Sequence, residues 1–210
     1  MRPVLAASLP LLAAALWLLA AAPARAASLD FDDVPDLSDA AAASFPNTSL
    51  SSAQVLSEAS VEALLGYDAD GRWATSGSQG LLNSLGAVIT FSFAVPVVSF
   101  SIDVLGIAKD GVTLPIALHG YVGDVLSATA VSDPLAIGDS GLHEQQLALA
   151  GAGFTSIRLG ALIECGPTPC FSDEGSTLFA DTVRSTAVPE PGTIALLALG
   201  LAALYRGNRR

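Results

Sequence analysis

Basic side chains are scarce in this chain. Nine Lys and Arg stand against 20 Asp and Glu, a formal net charge of −11 over 210 residues. Five of the nine, Arg2, Arg25, Arg206, Arg209 and Arg210, sit at the two ends. The central stretch from about Ala27 to Val188 keeps only Arg72, Lys109, Arg158 and Arg184 against nineteen acids, a net of about −15. That balance excludes a nucleic-acid binder, which needs clustered cations to displace counterions. It also disfavours docking on anionic lipid. It suits a solvated domain whose field attracts divalent cations. The central stretch is roughly 160 residues long, one domain with enough chain to bury a core.

Cysteine is nearly absent. Cys165 and Cys170 stand alone, in the run Cys-Gly-Pro-Thr-Pro-Cys, whose Gly166, Pro167 and Pro169 favour a turn. In an exported protein the pair reads as a disulfide clipping a loop, the alternative being two free thiols. With only His119 and His143 as further soft ligands, a zinc site is not expected.

Catalytic signatures are missing as well. Neither a P-loop nor a dinucleotide-binding fingerprint occurs. Asp68-Ala-Asp70-Gly71 opens like a calcium loop, but Gln79 stands where the twelfth-position Glu belongs, so a turn is expected. Gly138-Asp139-Ser140-Gly141 has the start of a serine-protease nucleophile signature. Leu142 follows where a second glycine is needed, and His119, the upstream histidine, is too close in sequence. His143-Glu144 lacks the second histidine of a zinc protease. Acids are plentiful, but nothing picks out a pair for glycoside hydrolysis. The chain is therefore expected not to be an enzyme.

The two ends carry the clearest signals. Arg2, an apolar run from Val4 to Ala22 and the small residues Ala24 and Ala26 read as a secretory signal peptide, the alternative being an uncleaved membrane anchor. Cleavage after Ala26 would leave Ala27 as the new N-terminus. At the other end, Pro189-Glu190-Pro191 keeps the chain extended. A dozen uncharged residues from Ile194 to Tyr205 follow, then Arg206, Arg209 and Arg210. As a helix those twelve would rise about 18 Å, short against a hydrocarbon core of about 30 Å. The arginines favour the cytoplasmic side. The tail thus reads as a transient or marginal anchor.

Diproline tag, apolar segment and Arg-rich end, in that order, resemble the PEP-CTERM sorting signal of Gram-negative bacteria. The resemblance covers about 22 residues and implies recognition by an exosortase, an integral-membrane cysteine protease cutting near Pro189-Glu190-Pro191. It implies a transient stay in the inner membrane and a destination at the cell envelope, the cell surface or outside the cell.

Between the ends, period-two alternation dominates. Ile89, Phe91 and Phe93 share one face of Ala87–Ala94, and Val98, Phe100, Ile102 and Val104 share one face of Val97–Val104. Pro96 between them predicts a turn or sheet edge. Ser28–Asp33, Val112–Val122, Val125–Val131, Gln145–Leu149, Phe154–Leu162 and Thr177–Arg184 are further strand candidates, separated by Gly/Asp turns. Ser51–Leu65 fits either one short helix or loop and strand. The predicted fold is all-β: an antiparallel β-sandwich of jelly-roll or galactose-binding-like type, flanked by a signal helix and a short C-terminal transmembrane helix. The predicted divisions are 1–26, 27–187 and 188–210.

The order of motifs is similar to an ectodomain found with such tails. It runs from an opening Phe-Asp-Asp, through Thr75-Ser-Gly-Ser-Gln-Gly-Leu-Leu-Asn83, to a last strand Phe179-Ala-Asp-Thr-Val183. In relatives two acids precede the final hydrophobe; here only Asp181 remains. Pairing of first and last strands would bring Asp30, Asp32 and Asp181 together as ligands of a structural calcium, which takes six to eight oxygens. The other reading is an exposed acidic strand end. Trp73 in a turn-rich stretch is a candidate sugar platform, or else a core or rim residue. Two functions follow: a non-enzymatic exported envelope or matrix protein linked to exopolysaccharide and biofilm, or a carbohydrate-binding module of the cell surface.

Overall fold

A computed structural model of the chain describes residues 26–29, 31–42, 45, 47–65, 77–83, 87–106, 114–133, 144–164, 169–171 and 178–188. The stretch Ala26–Ala187 forms one compact unit. Its strands are β1 (Ala26–Leu29), β2 (Thr48–Ser51), β3 (Ala53–Ser57), β4 (Gln79–Asn83), β5 (Ile89–Gly106), β6 (Ile116–Val122), β7 (Val125–Val131), β8 (Glu144–Glu164), β9 (Pro169–Phe171) and β10 (Leu178–Ala187). One helix, α1 (Glu58–Leu65), follows β3. Every strand pairing is antiparallel. The all-β sandwich expected from the alternation is what forms.

Two long strands explain how one hydrogen-bonded sheet becomes two layers. The N-terminal half of β5 pairs with β2 and with the C-terminal half of β8, which in turn pairs with β6. The C-terminal half of β5 pairs with β10 and with the N-terminal half of β8. The front layer is therefore β3–β4–β10–β5–β8, with β1 on β10. The back layer is β2–β5–β8–β6–β7. Register shifts in the β5–β8 ladder between Ser92 and Val97, and again between Val97 and Ser99, mark the corner.

The corner corrects two expectations. Pro96 does not end a strand: β5 continues through it as one eighteen-residue element, and Gly151-Ala-Gly153 likewise lies within β8. The shift also turns Val97, 3 % exposed, into the core in place of Val98. Beyond the bend the alternation resumes as predicted, with Phe100, Ile102 and Val104 buried.

The two inner faces share one core. Leu50, Ile89, Phe91, Leu118, Ile157 and Leu159 of the back layer pack with Val55, Leu81, Phe100, Ile102, Leu147 and Val183 of the front. The ambiguous stretch before α1 resolves into strand and helix together: β3 buries Ala53, Val55 and Leu56, and the chain then turns helical at Glu58.

Strand β1 is shorter than predicted. It ends at Leu29, and Asp32 and Asp33 lie in a turn rather than on alternating strand faces. No helix among the described residues is long and apolar enough to cross a membrane. The predicted signal segment up to Arg25 and the apolar tail beyond Val188 lie outside the described residues.

Candidate functional site

First and last strands do pair, as the metal hypothesis required. Ala26, Ala27, Ser28 and Leu29 face Thr186, Ser185, Arg184 and Val183. Of the three carboxylates proposed for calcium, Asp30 lies outside the described residues. Asp181 is fully buried in β10, opposite Asp103 of β5. Asp103 is buried too; it accepts a hydrogen bond from Gln146 Nε2 at 2.9 Å and has Arg184 Nη1 at 4.0 Å. Among the described residues no three His, Cys, Asp or Glu side chains gather to hold a metal ion.

Asp32 has a different task. Its Oδ1 accepts the backbone N–H of Ser78 at 2.7 Å and of Gln79 at 3.1 Å. Gly77, at φ +65°, lies so close that a Cβ there would fall 1.4 Å from Asp32 Oδ2. With its amide turned to donate, Gln79 reaches Val34 O at 2.6 Å and Phe31 O at 3.0 Å. The Phe-Asp-Asp and Gly-rich motifs, 46 residues apart in sequence, are thus two halves of one hydrogen-bonded turn.

The remaining sequence candidates divide simply. Trp73, Cys165, Ala24, Pro189, Glu190 and Pro191 lie outside the described residues, as do the runs around Asp68 and Ser140. Ala26 and Ala27 open β1. Cys170 lies in β9 opposite Ile163, and no described cysteine is free. His119 is half-buried in β6, its ring 4.4 Å from that of Phe171.

That last contact belongs to a surface the sequence did not reveal. The outer side of the back layer is built from cross-strand rows. One row runs Thr129, His119, Arg158, Thr90 and Ser51 over β7, β6, β8, β5 and β2. The next holds Tyr121, Ser156, Ser92 and Ser49. All nine are at least partly exposed. The Arg158 guanidinium lies 4.7 Å from the Tyr121 ring centroid, a cation–π contact. Phe171 closes one end of the strip: its ring lies over Gly160, where a Cβ would come within 2.8 Å of it. Partial burial, and then the Arg158 charge, push the His119 pKa down, so its imidazole is neutral at pH 7.

Period-two alternation does place His119 and Tyr121 on one face of β6. What no single strand discloses is the register that sets Arg158 against His119 and lays Phe171 over Gly160. A cleft of about 640 Å³ on the front layer lies over Ser99, Ser101, Ala148, Ala150 and Thr186, mostly small side chains, and presents Arg184.

Pairing and a shared core define a β-sandwich domain whose back layer carries a polar outer face. Residues 187–210 match the PEP-CTERM protein-sorting motif, which marks an exported protein sorted to the cell envelope. The match begins at Ala187, the last residue of β10. No curated protein is detectably similar to the chain. Among solved structures, the chain is similar to the K2 cleaved adhesin domain of Lys-gingipain: 11% identity, 77% of this chain and 99% of that chain, TM-score 0.47. It is also similar to the K1 cleaved adhesin domain of Lys-gingipain from Porphyromonas gingivalis W83: 9% identity, 79% and 99% coverage, TM-score 0.44. A third similar structure is TmCBM61 in complex with beta-1,4-galactotriose: 12% identity, 69% and 90% coverage, TM-score 0.36. The sandwich rests on strand pairing and core, not on these likenesses.

Proposed function

We propose that this is a non-enzymatic exported protein of the cell envelope or extracellular matrix, cut at its C-terminal tail by an exosortase and associated with exopolysaccharide in a biofilm. The observation that carries the reading is the sorting motif at 187–210, starting where the last strand of the folded unit ends. Cutting near Pro189 would leave every β10 pairing in place, since the last is Ala187 with Val97. Signal cleavage after Ala26 would cost β1 only its first pair, Ala26 with Thr186. The C-terminal cut thus falls beyond the last strand pair, and the N-terminal cut trims one residue from the edge of β1. In the exported, oxidising setting Cys165 and Cys170 would join as a loop clip.

A non-enzymatic role is supported by the sequence, in which no complete catalytic signature occurs. The second reading, a carbohydrate-binding module, is favoured by the hydroxyl-rich outer face of the back layer. Mass spectrometry of surface-extracted protein tests the sorting reading. The expected species lacks residues 1–26 and everything beyond roughly Pro189. An intact C-terminus, or a chain lacking 189–210 that reaches the same place in the same form, would refute it.

A further inference from the structure

The acids of this chain avoid one surface. Across β2, β6, β7, β9, the first half of β5 and the second half of β8 from Phe154 to Ile163, no Asp or Glu occurs, although the chain holds 20. The ionisable groups of the outer rows are cationic or neutral: Arg158 and His119. Of the two described arginines, Arg184 has Asp103 beside it. Arg158 is exposed and, among the described residues, has no carboxylate partner; its close contact is the Tyr121 ring. The neighbouring acids in sequence among the described residues, Asp124, Asp133 and Glu164, stand in the β6–β7 turn, beyond the end of β7 and at the end of β8.

Around that cation the chemistry is mixed in a particular way. Hydroxyls of Thr129, Thr90, Ser156 and Ser92 flank it in register. Tyr121 and Phe171 supply rings, and Leu126 and Val131 of β7 are 49% and 50% exposed. From the row of Gly160, under Phe171, to that of Ser156, opposite Tyr121, is four residues of strand, about 13 Å. A pyranose offers apolar C–H faces and a rim of hydroxyls, and rings with short polar side chains match both. The lone arginine adds a planar fork suited to a carboxylate. At physiological ionic strength fields decay over about 8 Å, so acids farther than that from Arg158 are largely screened from it.

We propose that the outer face of the back layer, centred on Arg158 and Tyr121, binds a carboxylated polysaccharide, a chain of uronic-acid type, along the His119–Phe171 strip. The proposal names the ligand class for the matrix association suggested above, but it stands on the sheet face and needs nothing from the tail.

The test is calorimetric titration of the full-length chain in detergent with a tetragalacturonate and, separately, with its methyl ester, which keeps the sugar and removes the charge. The acid should bind at least tenfold more tightly than the ester, and added salt should narrow the gap. Arg158→Gln should weaken the acid about tenfold and leave the ester unchanged. Tyr121→Ala should weaken both. Arg184→Gln, on the other layer, should alter neither. Each variant's thermal midpoint checks that it folds; Arg158 is exposed, so its replacement should leave the midpoint in place. Equal binding of acid and ester, absence of binding to both, or an Arg158→Gln variant as tight as the parent would overturn the site. Those outcomes leave tail sorting standing, because C-terminal processing of the same variants is read independently by mass. Loss of processing with binding retained would sink the sorting reading alone.

Discussion

The rings of Phe91 and Phe100 lie 5.1 Å apart, although both belong to β5. Nine residues of straight strand would separate them by about 30 Å. The contact therefore exists because β5 folds over itself at the corner around Pro96, and Phe93 joins at 6.0 Å from Phe100. A single strand thereby closes the core from both layers. Phe100→Ala removes a ring 1 % exposed at the meeting point and should cost about 3–5 kcal/mol. Urea denaturation at neutral pH measures it. A loss below about 1 kcal/mol would mean the layers are not held together there.

The Asp32–Gly77 turn predicts a coupled pair. Gly77→Ala places a methyl on the Asp32 carboxylate and in a positive-φ backbone, so the carboxylate must leave the Ser78 and Gln79 amides. The expected loss is about 2–4 kcal/mol. Asp32→Ala also destabilises, by leaving those amides without their acceptor. In the Asp32→Ala background, however, Gly77→Ala should cost only the backbone term of about 1–2 kcal/mol. A double-mutant cycle by thermal or urea unfolding reads the difference; strict additivity would show that the two residues do not touch.

Thr182 adopts φ +48° within β10, between Asp181 and Val183, where the β10–β5 register slips. Left-handed backbone strains a β-branched residue and is easier for Asn, Asp or Gly. Thr182→Asn should raise stability by on the order of 1 kcal/mol, seen as a higher thermal midpoint. A lower midpoint would show that the Thr182 hydroxyl, 3.3 Å from Asp181 Oδ2, matters more than its backbone.

How much of this could be read beforehand follows the range of each interaction. The buried sides of β5 at Ile89, Phe91 and Phe93, and of its later half at Phe100, Ile102 and Val104, are written in period two, and so was the fold class. The bend was not legible, because Pro96 marks a turn and a bulged corner in the same letter; only the β8 register distinguishes them. The PEP-CTERM tail was legible because its signal is linear. The Arg158–Tyr121 face was not, since its members come from β6 and β8 and meet through pairing alone. The turn role of Asp32 is not legible, because its partners are backbone amides of Ser78 and Gln79, which leave no mark in side-chain identity.

Asp36 provides the pH prediction. Slight burial raises its pKa, but hydrogen bonds from the Ser57 and Ser60 hydroxyls, 2.6 Å each, and from the Ser57 and Leu37 amides outweigh that and hold the carboxyl below its ordinary value. It thereby fixes Ser57, whose own Oγ accepts the Ser60 N–H at 3.3 Å and caps α1. A folded-state pKa below the unfolded one gives stability that is complete above the unfolded value and lost as pH falls through the folded value. Asp36→Asn keeps the shape and removes the charge. At pH 7 it should lower stability by about 1 kcal/mol or less, since the group is exposed. As pH drops below about 4, the ordinary carboxylate range, the parent should lose this advantage and the two urea midpoints should converge. A gap that stays constant from pH 7 to pH 2 would mean that the ionised carboxylate does not hold the turn into α1.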